Sequence, residues 1–147
     1  MKSLIIGLNI LLTAAVISYA GDLNDLYAKD YKNFFKQWEQ KKQKAITCKS
    51  PKDTALFLTD ALTMKGNAEV SEANAEVIEN LILTNPTCFL KGLHSLPLIT
   101  RDKILTDFVV VPTFKTKLEI EKALDKSWDT GNYQEEKQAF KKAQNIR

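Results

Sequence analysis

The sequence predicts an all-α protein, and three observations carry that reading. Apolar residues recur every three or four positions, as in Leu23, Tyr27, Tyr31, Phe34 and Trp38, which is the period of one helix face. Helix-starting and helix-stopping residues punctuate the chain at short intervals: Ser50-Pro51, Gly66-Asn67, Asn85-Pro86, Pro97 and Pro112. Only Phe108-Val109-Val110-Val111 has β-branched strand character, and one isolated strand would have nothing to pair with. The expected architecture is six to seven antiparallel helices in a compact bundle or a short stack of helical hairpins.

The first twenty residues stand apart from the fold. Lys2 precedes an apolar run from Leu4 to Ile17, and Ser18-Tyr19-Ala20 is a small-x-small cleavage signal. These features predict a signal peptide over 1–20, cleaved after Ala20, and a single domain over 21–147. The run is shorter than the roughly 20 residues a membrane span needs, so no stable anchor is expected after cleavage. The chain carries 21 Lys and Arg against 18 Asp and Glu, a net charge of +3. That balance is too small to argue for nucleic acid. Cys48 and Cys88 are the two cysteines, and an even count in an exported chain predicts one disulfide. Closing a loop of about 40 residues would stabilise the fold by ~4 kcal/mol in the chain-entropy model.

Taken in order, the first helix is expected from about Asp22 to Lys44, with Leu23, Tyr27, Tyr31, Phe34, Phe35 and Trp38 on one face. Ser50 caps a second helix, Pro51 takes its first position and Asp53 its first turn. Ala55, Leu58, Ala61 and Leu62 form its inner side, with Gly66 as a left-handed terminator. A third helix starts near Asn67 and stops before Pro86, and a shorter one follows with Phe89, Leu90, Leu93 and Leu96 inward. Thr100-Arg101-Asp102 opens a fifth, packing through Ile104, Leu105 and Phe108, so that residues 105–111 are read as helix with a strand as the alternative. Phe114, Leu118, Ile120 and Leu124 mark a sixth. After Trp128 and a turn at 129–132, Tyr133, Phe140 and Ala143 mark a seventh, fraying over 141–147.

The third helix organises the rest. Val70, Ala73, Val77 and Leu81 share one sector of a helical wheel, widened by Ile78 and Ile82, while Glu69, Glu72, Glu76 and Glu79 gather on the other side. No Lys or Arg occurs between Gly66 and Leu90. Such a ridge would steer a protein partner with a basic surface, and the four glutamates are the candidate partner-binding residues. A solvated helix face is the plainer reading of the same pattern.

Catalytic chemistry finds little footing. His94 is the single histidine, which excludes a multi-histidine metal site. No nucleophile elbow, phosphate loop or dinucleotide fingerprint occurs, so neither an enzyme nor a cofactor is expected. An alternative is a carrier of a small apolar ligand, its cavity lined by Phe34, Phe35, Trp38, Phe57 and Phe89.

An exported helical chain of this size, with a leader at Met1–Ala20, two cysteines at 48 and 88 and helical hairpins around Asn85-Pro86, resembles the periplasmic immunity proteins that neutralise amidase effectors of type VI secretion systems. The resemblance is one of architecture and transfers no binding residue. It implies a periplasmic or secreted protein that occludes a cell-wall hydrolase, with a homodimer among the forms it would take.

Overall fold

A computed structural model describes residues 23–145 of the chain. The leader expected over Met1–Ala20 and its expected cleavage point lie outside the described residues. Every regular element among the described residues is helical, in eight α-helices. The count exceeds expectation because the first helix is broken. Residues 23–29 form α1, and α2 (Tyr31–Thr47) restarts at Asp30, whose carboxylate accepts from the Asn33 N–H at 3.1 Å while its backbone leaves the helical region (φ −146°, ψ 71°). An aspartate in mid-stripe competes with the helix for its own backbone donors, and here it wins.

The helix starts and stops read from the sequence mostly hold. Ser50 accepts from Lys52 N–H and Pro51 opens α3 (Pro51–Thr63). Asn67 accepts from Val70 N–H at the start of α4 (Ala68–Thr84). Asn85 ends α4 with its backbone and starts α5 (Pro86–His94) with its side chain, accepting from Cys88 N–H. Gly66 is the exception. No glycine among the described residues has positive φ; the left-handed terminator is Cys48, φ 54°, at the end of α2. That residue is positioned by its disulfide to Cys88, with Cα atoms 5.8 Å apart.

α6 (Leu98–Ile104) begins directly after Pro97, earlier than Thr100. It continues as a π-helical turn over Leu105–Val109, closed by Val110 N–H on Leu105 C=O at 2.9 Å. Residues 105–109 are therefore helical, not a strand. The wider turn brings Phe108, Val109 and Val110, three consecutive residues, all into the core, which a 3.6-residue period does not do. α7 (Lys117–Trp128) starts on a capping box in which Thr116 and Glu119 satisfy each other's backbone N–H. Ile120 and Leu124 are buried as expected, but Phe114 and Leu118 are exposed, because the helix starts only at Lys117 and presents Leu118 outward. α8 (Gln134–Asn145) buries Phe140 and Ala143 and stays helical to Asn145, so the expected fraying does not reach 141–145.

One apolar core draws side chains from α2 through α8, among them Phe57, Leu58, Ile78, Phe89, Leu90, Leu105, Ile120 and Trp128. The tightest seam is between α3 and α5. A methyl group on Gly92 would lie 2.5 Å from Thr54 Cγ2 and 3.3 Å from the Ala55 backbone nitrogen, so glycine is what lets these two helices touch. Thr54, fully buried, donates to the Ala45 carbonyl at the end of α2. The disulfide ties the α2–α3 corner to the start of α5 beside this seam. That bond fits an oxidising compartment. No helix among the described residues is long and apolar enough to cross a membrane.

Candidate protein-binding face on α4

α4 lies across the core with an exposed strip between two flanks. Its buried arc is centred on Ile78, with Val70, Asn74, Ala75, Leu81 and Ile82 around it. The sequence wheel centred the apolar sector on Val77 instead. The actual inner face is rotated toward Ala75 and Ile82, and that rotation separates the four glutamates.

Glu72 and Glu76 are exposed, and neither has an ion-pair or hydrogen-bond partner among the described residues. Glu69, in the first turn, is exposed but engaged. Tyr27 Oη donates to its Oε2 and Tyr31 Oη to its Oε1, both at 2.6 Å. The two hydroxyls hold the Glu69 carboxyl below the usual range, and the carboxylate in turn pushes both tyrosine pKa values above their ordinary 10.0. Glu79 is not on the ridge at all. It is fully buried, and its carboxylate accepts three consecutive backbone N–H groups: Thr113 at 2.6 Å, Phe114 at 2.9 Å and Lys115 at 2.7 Å. It is a structural anchor and cannot meet a partner. Its signal lay in its position nearest the true inner arc, readable only once that arc is known.

On one side of the strip, α2 and α4 stand apart and leave an open groove of about 340 Å³. Trp38, Ile46, Val77 and Leu81 give it apolar surface, and Lys42, Glu76, Asn80 and Thr84 its polar edge. Lys42 stacks over the Trp38 ring, 5.0 Å from its centroid, and pairs with Glu39. Trp38 is fixed from below, its indole N–H donating to the buried Asn74 at 2.8 Å. On the other side lies the 110–116 connection held by Glu79. Val111, Phe114 and Leu118 are all half or more exposed there. The reading of Phe114 and Leu118 as core residues hid this second flank. The result is an acidic strip with apolar surface on both sides, on a rigid scaffold.

The other candidates resolve differently. His94 Nδ1 lies 2.8 Å from Glu136 Oε1, and Arg101 donates to the same oxygen, a cluster that pins α5, α6 and α8 together. Tyr133 packs edge-on against His94, and burial, helped by the nearby Glu136, pushes its pKa above the ordinary value. No group of three or more His, Cys, Asp or Glu able to hold a metal occurs among the described residues. Of the proposed cavity-lining aromatics, Phe34, Phe57 and Phe89 are buried core, while Phe35 and Trp38 are half-buried. The space bordered by Phe34, Trp38 and Phe57 measures about 20 Å³, room for one water. No family model, no curated protein and no solved structure matches this chain.

Proposed function

We propose that this protein is an exported, non-enzymatic binding module that neutralises a secreted or cell-wall-directed hydrolase, in the manner of an immunity protein or inhibitor. The observation that carries the reading is the pairing of unneutralised Glu72 and Glu76 with apolar surface on both flanks. Protein interfaces combine exposed aromatic and aliphatic anchors with charges that steer and orient the partner. Like charges one helical turn apart repel by ~0.2–0.5 kcal/mol, so the strip costs the fold a little and favours a cationic partner. Glu69 extends the strip while held by its tyrosines; Glu79 has no place in it. The leader and the disulfide support a periplasmic or secreted location. A small-ligand carrier has less support, since the enclosed space bordered by Phe34, Trp38 and Phe57 holds only a water and the larger groove beside Trp38 is open.

The test is a pull-down with the chain from Gly21 onward, against purified cell-wall hydrolases and the products of neighbouring genes. A stoichiometric partner that releases with rising salt, and that the double variant Glu72→Lys/Glu76→Lys no longer retains, is the expected result. Equal retention by the double variant would remove the α4 face as the interface.

A further inference from the structure

The break at Asp30 interrupts a stripe that the sequence writes as continuous. Leu23, Tyr27, Tyr31, Phe34 and Trp38 would share one face of an unbroken helix. In the bent form α1 turns back on the bundle. Leu23 joins Phe34, Met64 and Val70 in a small apolar cluster beside the main core, with Leu26 and Tyr27 packed on it. Tyr31, next to the bend, is left with about half its surface exposed (52%). An unbroken helix would instead pair the N–H groups of residues 31–33 with the carbonyls of residues 27–29. In the bent form the Asp30 side chain takes the Asn33 N–H instead, and that capping bond favours the bend over the continuous helix.

The seat of α1 is a defined site on the rest of the bundle. It is bounded by α2, α3 and α4, through Phe34, Met64 and Val70, and is closed by the Tyr27 hydroxyl on Glu69. The seat groups that Leu23 and Tyr27 meet, Phe34, Met64, Val70 and Glu69, all lie outside α1, so an identical α1 from another molecule would meet the same partners.

We propose that this seat accepts α1 of a second copy, giving a reciprocal exchanged dimer in which α1 and α2 run as one helix. Two copies exchange identical elements, so the assembly closes with two-fold symmetry and leaves no seat empty. Each α4 strip remains on its own protomer, and the dimer presents two of them to a multivalent target. The proposal stands independently of what the strips bind.

Two experiments decide it, both on the chain from Gly21 onward, read by light scattering coupled to gel filtration across a concentration series. Asp30→Ala removes the cap that holds the bend, a loss of about fivefold per hinge for a typical N-cap. With two hinges per dimer, the dimerisation constant is expected to rise about 25-fold. Asp30→Asn keeps a capping oxygen and should leave it near wild type. A wild-type mass distribution for Asp30→Ala at every concentration would overturn the exchange. The second experiment separates exchange from side-by-side association. Tyr27→Phe lacks the clasp donor and Glu69→Ala lacks its acceptor, so each alone forms a dimer with no Tyr27–Glu69 clasp. Mixed, an exchanged heterodimer places one intact Tyr27 on one intact Glu69, and it should form in excess over the statistical proportion. A statistical mixture would overturn the proposal even if dimers are present.

Discussion

The Glu79 carboxylate sets the position of Phe114, accepting its backbone N–H at 2.9 Å while Thr113 and Lys115 donate on either side. A fully buried carboxylate is costly without partners, and three charge-assisted hydrogen bonds offset that cost. The same three bonds give the 110–116 connection its shape where no helix is present to satisfy its backbone. Phe114 is thereby presented to solvent from a fixed frame and not from a loose loop.

Replacing Glu79 therefore acts on stability through this connection. Glu79→Gln keeps one acceptor oxygen but loses the charge, and should destabilise the fold by about 1–3 kcal/mol. Chemical denaturation with fluorescence of Trp38 and Trp128 would read the change. A loss below ~0.5 kcal/mol would mean that water replaces the carboxylate without penalty.

The glutamates of α4 should separate under charge reversal. Glu72→Lys and Glu76→Lys alter exposed, unpaired side chains and are expected to stay within about 0.5 kcal/mol of wild type. Glu79→Lys buries an ammonium against three N–H donors and should leave little folded protein. Thermal melts of the three single variants would show two near wild type and one collapsed; three equal melts would contradict the burial of Glu79.

Gly92 is the most size-sensitive position on the α3–α5 seam. The added methyl of Gly92→Ala meets Thr54 side-chain atoms at 2.5 and 2.6 Å and the backbone of Ala55 at 3.3 Å, so Thr54 alone cannot relieve the crowding by turning. Overpacking of this kind costs about 1–3 kcal/mol. The companion variant Thr54→Ser removes Cγ2, and in that background Gly92→Ala should cost less. Additive losses in the double variant would show that Thr54 Cγ2 does not contribute to the crowding, leaving it to Thr54 Cβ and the Ala55 backbone.

Reduction of Cys48–Cys88 releases a constraint on the unfolded chain across a sequence separation of 40. The expected loss is up to ~4 kcal/mol. It should appear as a lower denaturation midpoint in the presence of reductant, and the Cys48→Ala/Cys88→Ala variant should match it with or without reductant.

The Tyr27–Glu69–Tyr31 clasp gives stability a window in pH. The folded Glu69 pKa lies below its ordinary value, so its contribution is complete above about 4.5 and is lost as pH falls through the lower folded value. Both tyrosine pKa values lie above 10.0 in the folded state, so their contribution is complete below that and is lost as pH rises through the raised values. Tyr27→Phe/Tyr31→Phe should lower stability across the neutral window, where the clasp contributes fully, and converge on wild type at both ends, which flattens the profile. Denaturation midpoints across the pH range would show it, and an unchanged profile would remove the clasp as a source of pH dependence.

The helical class, most boundaries and the cysteine pairing were legible along the chain because each rests on local chemistry. Ser50, Asn67 and Asn85 cap their own following turns, Pro51 and Pro86 accept the first helical position, and two cysteines admit one intramolecular bond. What lay beyond the sequence depended on rotations and competitions that only packing resolves. The inner arc of α4 turned from Val77 to Ile78, which drew Glu79 inside while Glu72 and Glu76 stayed out. Asp30 ended α1 although the apolar stripe continued through it. The π turn after Ile104 carried three successive apolar residues inward, while the Glu79-held connection and the late start of α7 at Lys117 left Phe114 and Leu118 on the surface. Each of these turns on a small local difference, a fraction of a helical turn or a single capping bond. Helical periodicity alone does not distinguish the outcomes, and the burial of the surrounding core does.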